Sequence, residues 1–153
     1  MVISRMKTED VTDAARIEEK IFSTPWSEQS SLEALEQEYT VFFVAKKKEH
    51  CVGYIGAYFA ADEAEITNVA VEMEYRRRHI AEALVEEMQK EAAGRGTHSI
   101  FLEVRCSNTG AIALYQKMGF SICGTRRGFY EKPKEDAYVM VYTPEISTTM
   151  GED

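Results

Sequence analysis

Apolar and polar positions along this chain switch between a period of two and a period near 3.6, which divides it into short strands and amphipathic helices. Val2 to Arg5 reads as a short strand, and Thr8 is placed to N-cap a helix whose apolar stripe is Val11, Ala14, Ala15, Ile17, Ile21 and Phe22. Pro25 stops that helix, and Ser27 can cap a second one through Leu32 and Leu35. Thr40 to Ala45 and Cys51 to Ala60 are rich in Val, Phe, Tyr and Ile and flank the polar stretch Lys46 to His50, the pattern of a hairpin. A third strand, Ala64 to Val71, follows. From His79 to Ala93, Ile80, Leu84, Val85, Met88 and Ala92 share one helical face opposite Glu82, Glu86, Glu87 and Lys90, with Gly94 as the expected C-cap. Ser99 to Val104 is again strand-like, Thr109 to Lys117 a short helix, and Phe120 to Thr125 and Ala137 to Tyr142 the last strands. Hairpin-linked strands with interspersed helices predict an α+β sandwich built on a mixed sheet.

No linker, repeat or low-complexity block interrupts residues 1–144, which read as one domain, and residues 145–153 form a polar tail. The length of 153 residues suffices for a core without covalent staples. Three cysteines, Cys51, Cys106 and Cys123, are odd in number and lack ligand spacing, so reduced thiols in the cytoplasm are expected and a metal site is not. The opening segment Met1 to Lys7 is too soon polar for a signal peptide, and no apolar run is long enough to span a membrane. A net charge of -8 argues against direct nucleic-acid binding. It suits a cationic substrate, an amine or a basic peptide, or serves solubility alone.

Two stretches carry candidate chemistry. At the first, the strand ending at Val71 leads through Arg76-Arg77-Arg78 into a helix, and a helix N-terminus flanked by arginines suits a pyrophosphate; a solvated basic turn is the competing explanation. At the second, Glu103 ends an apolar strand, Asn108 lies in the loop after it, and Tyr115 comes near the end of a short helix. These are groups that a proton-transfer site uses.

Together with Leu102-Glu103-Val104-Arg105, Ser107-Asn108, Ala111 to Tyr115 and Met118-Gly119-Phe120, the strand, basic turn and helix resemble the GNAT superfamily of acetyl-CoA-dependent N-acetyltransferases. The resemblance extends to Pro25-Trp26-Ser27, Thr125-Arg126-Arg127, Tyr130, Glu135-Asp136-Ala137 and Met140, and is strongest to the RimI-type enzymes that acetylate the N-terminal alanine of a small-subunit ribosomal protein. It implies a mostly antiparallel central sheet of about six or seven strands flanked by about four helices. The implied cosubstrate is acetyl-CoA, with no metal, and the implied partner is the N-terminus of a basic ribosomal protein.

The resemblance also implies roles. Backbone atoms of Val69, Ala70 and Val71 would line the pantetheine arm, and Arg76, Arg77, Arg78, His79, Ile80 and Ala81 would form the phosphate turn. His79 stands where the family's first glycine does, and at helical φ/ψ it would leave the N–H donors in place. Glu103 would be the general base and Tyr115 the general acid, while Asn108 would contact the cofactor, cap the helix, or both. The plain alternatives are a salt bridge from Glu103 to Arg105 or another cation, and core packing by Tyr115. Trp26 and Tyr130 would border the acceptor cleft from loops, or else staple two helices and close a hairpin. Cys106 invites an acyl-cysteine route, disfavoured because no His lies beside it in sequence. Transfer to a polyamine or antibiotic amine, and an inactive acyl-CoA-binding domain, remain as other readings of the same residues.

Overall fold

The computed structural model describes residues 1–21, 39–76 and 79–144. The helix expected from Ser27, the Pro25-Trp26 segment, Arg77, Arg78 and the polar tail lie outside the described residues. Seven strands form one sheet in the order β1 (Val2–Arg5), β2 (Thr40–Lys47), β3 (His50–Ala60), β4 (Glu63–Val71), β5 (Ser99–Arg105), β7 (Lys134–Tyr142), β6 (Ser121–Glu131). β4 and β5 pair parallel, whereas β1–β2, β2–β3, β5–β7 and β6–β7 pair antiparallel, so the sheet is mixed and mostly antiparallel as expected. The described helices are α1 (Val11–Ile21), α2 (Ile80–Gly94) and α3 (Thr109–Lys117).

The chain forms two compact units, Met1–Phe59 with Ile66–Met88, and Ala60–Glu65 with the residues from Gln89 onward. In the first, α1 packs Val11, Ala14 and Ile17 against Met6, Phe42, Val44, Cys51, Tyr54 and Ala70. Thr8 does not cap α1: residues Thr8–Asp10 form a 3-10 turn, and Asp10 accepts the Lys7 N–H at 2.9 Å. Its carboxylate is also 2.7 Å from the Lys46 ammonium, and these two partners favour the turn over immediate helix. The β2–β3 hairpin is tighter than expected, with Lys47 opposite His50 and only Lys48 and Glu49 between them. Both have positive φ, 54° and 68°, the handedness that matches a two-residue turn to strand twist. Phe42 lies opposite Gly56, and a Cβ there would overlap the Phe42 ring.

In the second unit, β5 buries Ile100, Leu102 and Val104 on one face and turns Phe101, Glu103 and Arg105 to the other. The C-cap of α2 is Gly96 rather than Gly94. Gly96 has φ 72°, the Thr97 N–H reaches the Ala92 carbonyl at 3.0 Å, and the Gly96 N–H reaches that of Ala93 at 3.1 Å. That hydrogen-bond pair needs its left-handed residue two positions past the last helical residue, and Gly94 is still helical. β6 runs on to Glu131, past the expected end at Thr125, because β7 pairs with it as far as Glu131 opposite Lys134.

Candidate active site

In the first unit, β4 delivers Val69, Ala70 and Val71 to the turn that starts α2, with Val69 half-buried and the other two buried. Gly53 of β3 lies beneath this turn, and a Cβ at Gly53 would come 3.0 Å from the Ala70 carbonyl oxygen and 3.2 Å from a Val71 methyl. The Glu72 N–H donates to the Val52 carbonyl at 2.8 Å, and Arg76 Nε donates to the Val71 carbonyl at 3.3 Å. Glu72 is buried and ion-paired with Arg16, which raises the Arg16 guanidinium above its ordinary value. The strand end and the turn are thereby held on both sides.

His79 corrects an expectation. Its φ is 61°, left-handed rather than helical, so the chain puts a β-carbon where the family's glycine avoids one. The imidazole points along α2, where Nδ1 lies 2.9 Å from Glu82 Oε2, and the His79 carbonyl accepts the Ala83 N–H at 3.1 Å. Ile80 is buried and Ala81 half-buried just inside the helix, where first-turn N–H groups have no intrahelical acceptor.

In the second unit, Glu103 is mostly buried, and its Oε2 is 3.0 Å from Nη1 of the half-exposed Arg126. The expected shared face of Glu103 and Arg105 is present, but they are not partners. Arg105 pairs with Glu135 at 3.2 Å, donates to the Pro133 and Lys132 carbonyls, and places its guanidinium carbon 4.2 Å from the Tyr130 ring centroid. Tyr130 therefore stands in β6, not in a loop, and burial pushes its phenol up.

Glu65 was not singled out in the sequence. Its carboxyl is raised above the ordinary carboxylate range, first by burial and then by the carboxyl of Glu103 beside it. A polar Glu63, Glu65, Thr67 face on a strand was legible, but not that it would face Glu103.

Tyr115 is buried on α3, with its ring 5.8 Å from that of Phe120, which agrees with a packing role. Burial, with a smaller contribution from Tyr130, pushes its phenol up to about 12. Among the described residues its hydroxyl has no hydrogen-bond partner. Asn108 caps α3, its side-chain oxygen accepting the Ala111 N–H at 3.1 Å. The Cys106 thiol is held above its ordinary value by burial and by Asp136 and Glu135, so it is protonated at neutral pH and a poor nucleophile. Trp26, Arg77 and Arg78 lie outside the described residues. Among those residues no group of three or more His, Cys, Asp or Glu side chains could hold a metal, and no helix is long and apolar enough to cross a membrane.

The profile of the acetyltransferase (GNAT) family matches residues 11–120. A Bacillus subtilis relative is 34% identical over 142 residues, 92% of this chain and 94% of its own. The Escherichia coli ribosomal protein bS18-alanine N-acetyltransferase is 34% identical over 140 residues, 90% of this chain and 94% of its own. A crystal structure of the Escherichia coli ribosomal-protein-S18-alanine N-acetyltransferase superposes with a TM-score of 0.87 at 31% identity, covering 99% of this chain and 96% of that one. By that profile match and by relatives 34% identical over nearly the whole of both chains, the chain belongs to the GNAT family of acetyltransferases.

Proposed function

We propose that this protein transfers the acetyl group of acetyl-CoA to the N-terminal alanine of ribosomal protein bS18, by direct attack in a ternary complex in the cytoplasm, with residues 1–144 as the catalytic domain. Similarity to the Escherichia coli enzyme over nearly the full length of both chains supports the acceptor. One observation carries the chemistry: Tyr115 holds a buried hydroxyl that no described residue occupies.

In this reading the turn at the start of α2 holds the pyrophosphate of acetyl-CoA through Arg76, Arg77, Arg78 and the N–H groups of His79, Ile80 and Ala81. Backbone of Val69, Ala70 and Val71 holds the pantetheine arm, and Asn108 contacts the cofactor through atoms its cap leaves over. The close approach of β4 to Gly53 fits that use, because it fixes the strand backbone that must supply the dipoles. Trp26 and Tyr130 border the acceptor peptide.

An α-ammonium, with a pKa near 8, must lose a proton before its lone pair can attack. Glu103 accepts that proton, the C–N bond forms as the C–S bond breaks, and the thiolate leaves. Tyr115, protonated throughout the neutral range, gives its proton to the sulfur and is restored by the second proton from nitrogen. Each cycle yields one amide and one thiol and releases one proton to solvent.

The test is incubation of the purified protein with acetyl-CoA and a peptide copying the bS18 N-terminus, read by peptide mass and by thiol release. Gain of a single acetyl group on the α-amine is expected. Acetyl-CoA left intact with the peptide but consumed with a polyamine would overturn the acceptor, and no turnover with either would overturn the activity.

A further inference from the structure

Glu65 of β4 sits in register with Phe101 of the parallel neighbour β5. Register partners point to the same face of a sheet, as do residues two apart on one strand, so Glu65 and Glu103 face the same way, one diagonal step apart. Burial, and then the carboxyl of Glu103 beside it, raise the Glu65 carboxyl above the ordinary carboxylate range, and two carboxylates this close can hold one proton between them.

The charges around the pair are unequal. Arg126 arrives from β6, 3.0 Å from Glu103, and is the cation ion-paired with it. Arg105, on the same face of β5, is engaged by Glu135 of β7 and lies over Tyr130 of β6. Tyr130 interacts electrostatically with Glu103, and Tyr115 of α3 with Tyr130. Among the described residues one guanidinium thus faces two carboxylates, and a single positive charge, a proton or an ammonium, completes the balance. Tyr115, buried in the same compact unit, has no hydrogen-bond partner for its hydroxyl among the described residues.

We propose that Glu65 is a positioning residue for acetyl transfer: with Glu103 and Arg126 it forms a unit in which two carboxylates share one proton, and that shared position receives the proton lost by the acceptor's ammonium. The proposal rests on the reaction set out above. A proton held between two carboxylates is held more tightly than by one, so the pair is a stronger base than a lone glutamate and better matched to an amine. Glu65 keeps its proton to higher pH than an ordinary glutamate, because of burial and the neighbouring carboxyl of Glu103, while Arg126 opposes the shift. As the ammonium binds, the proton between the carboxylates leaves to solvent. In the step itself an N–H bond of the ammonium breaks, an O–H bond forms on the pair, which is singly protonated again, and nitrogen keeps the electron pair that attacks the thioester carbon.

The two neighbours of Glu103 should therefore act with opposite sign. In pH profiles of kcat/KM with the alanine-initiated peptide, Glu65→Gln should move the acidic limb to lower pH and lower the plateau, and Arg126→Gln should move the same limb to higher pH. An unmoved limb in Glu65→Gln, or both variants shifting it the same way, would overturn the proposal, whereas a merely structural role would lower the rate equally at every pH. Carbon-13 spectra of the glutamate carboxyls in the free protein give a readout that needs no turnover. Two resonances titrating together should become one simpler step in Glu65→Gln, and independent titrations would refute the shared proton. If the natural protein transfers no acetyl group, the proposed function fails while the spectra still decide the pair.

Discussion

Arg126 reaches across β7 to bring Nη1 within 3.0 Å of Glu103 Oε2, although β6 and β5 are not neighbours in the sheet. Its guanidinium carbon also lies 4.9 Å from the Phe129 ring centroid, so an exposed aromatic braces the long side chain over the strand between.

Glu103→Gln keeps the size of the side chain and removes the base. A loss of kcat on the order of 10²-fold is expected. Thermal stability should change little, because a pair with a half-exposed arginine contributes at most about 1 kcal/mol. Steady-state kinetics beside a thermal melt check both halves, and full activity would remove Glu103 from the mechanism.

Tyr115→Phe deletes a hydroxyl without a partner among the described residues and keeps the ring against Phe120. The melting temperature should hold or rise slightly, while kcat falls on the order of 10²-fold. Tyr115→Ala empties the ring's site and should cost about 3–5 kcal/mol in a denaturant titration. A collapse of stability in the phenylalanine variant would show that the hydroxyl, not the ring, holds α3.

His79→Gly relieves a left-handed backbone that costs an L-residue about 1–2 kcal/mol, at the loss of the exposed contact with Glu82. A gain of a few degrees in melting temperature is expected for glycine, and none for His79→Ala, which keeps the β-carbon. Acetyl-CoA affinity measured by calorimetry should change by less than about tenfold, since backbone N–H groups and Arg76 stay in place. A larger change would make the imidazole itself a ligand contact.

Alkaline pH should weaken the fold. Burial pushes the Cys51 thiol from 9.0 to about 12 and the Tyr115 phenol from 10.0 to about 12. Both folded-state values lie above the unfolded ones, so the unfolded chain releases these protons first and binds fewer of them as pH rises. The stabilisation is complete below the unfolded values and is lost as pH climbs through the folded ones. Urea titrations from about pH 8 to about pH 11 should show falling stability, and Cys51→Ala should flatten the lower part of that fall.

What the sequence by itself determined is local. The apolar run from Thr40 and the one from Cys51 could only form a hairpin around their polar middle, and α3 begins at Thr109 and ends at Lys117 as its pattern requires. Alternation on β5 put Glu103 and Arg105 on one face before any partner was known. Partners are another matter, because they depend on which distant strands lie side by side. The insertion of β7 between β5 and β6 lengthens β6 and hands Glu103 to Arg126 and Arg105 to Glu135. The parallel register of β4 with β5 brings Glu65 to Glu103 across a separation that no local spacing encodes. Left-handed backbone at His79 was likewise not legible from its own side chain, which does not favour positive φ. Side-chain period is a property of the backbone and can be read along one strand, whereas charge pairing depends on sheet order, which the whole fold decides.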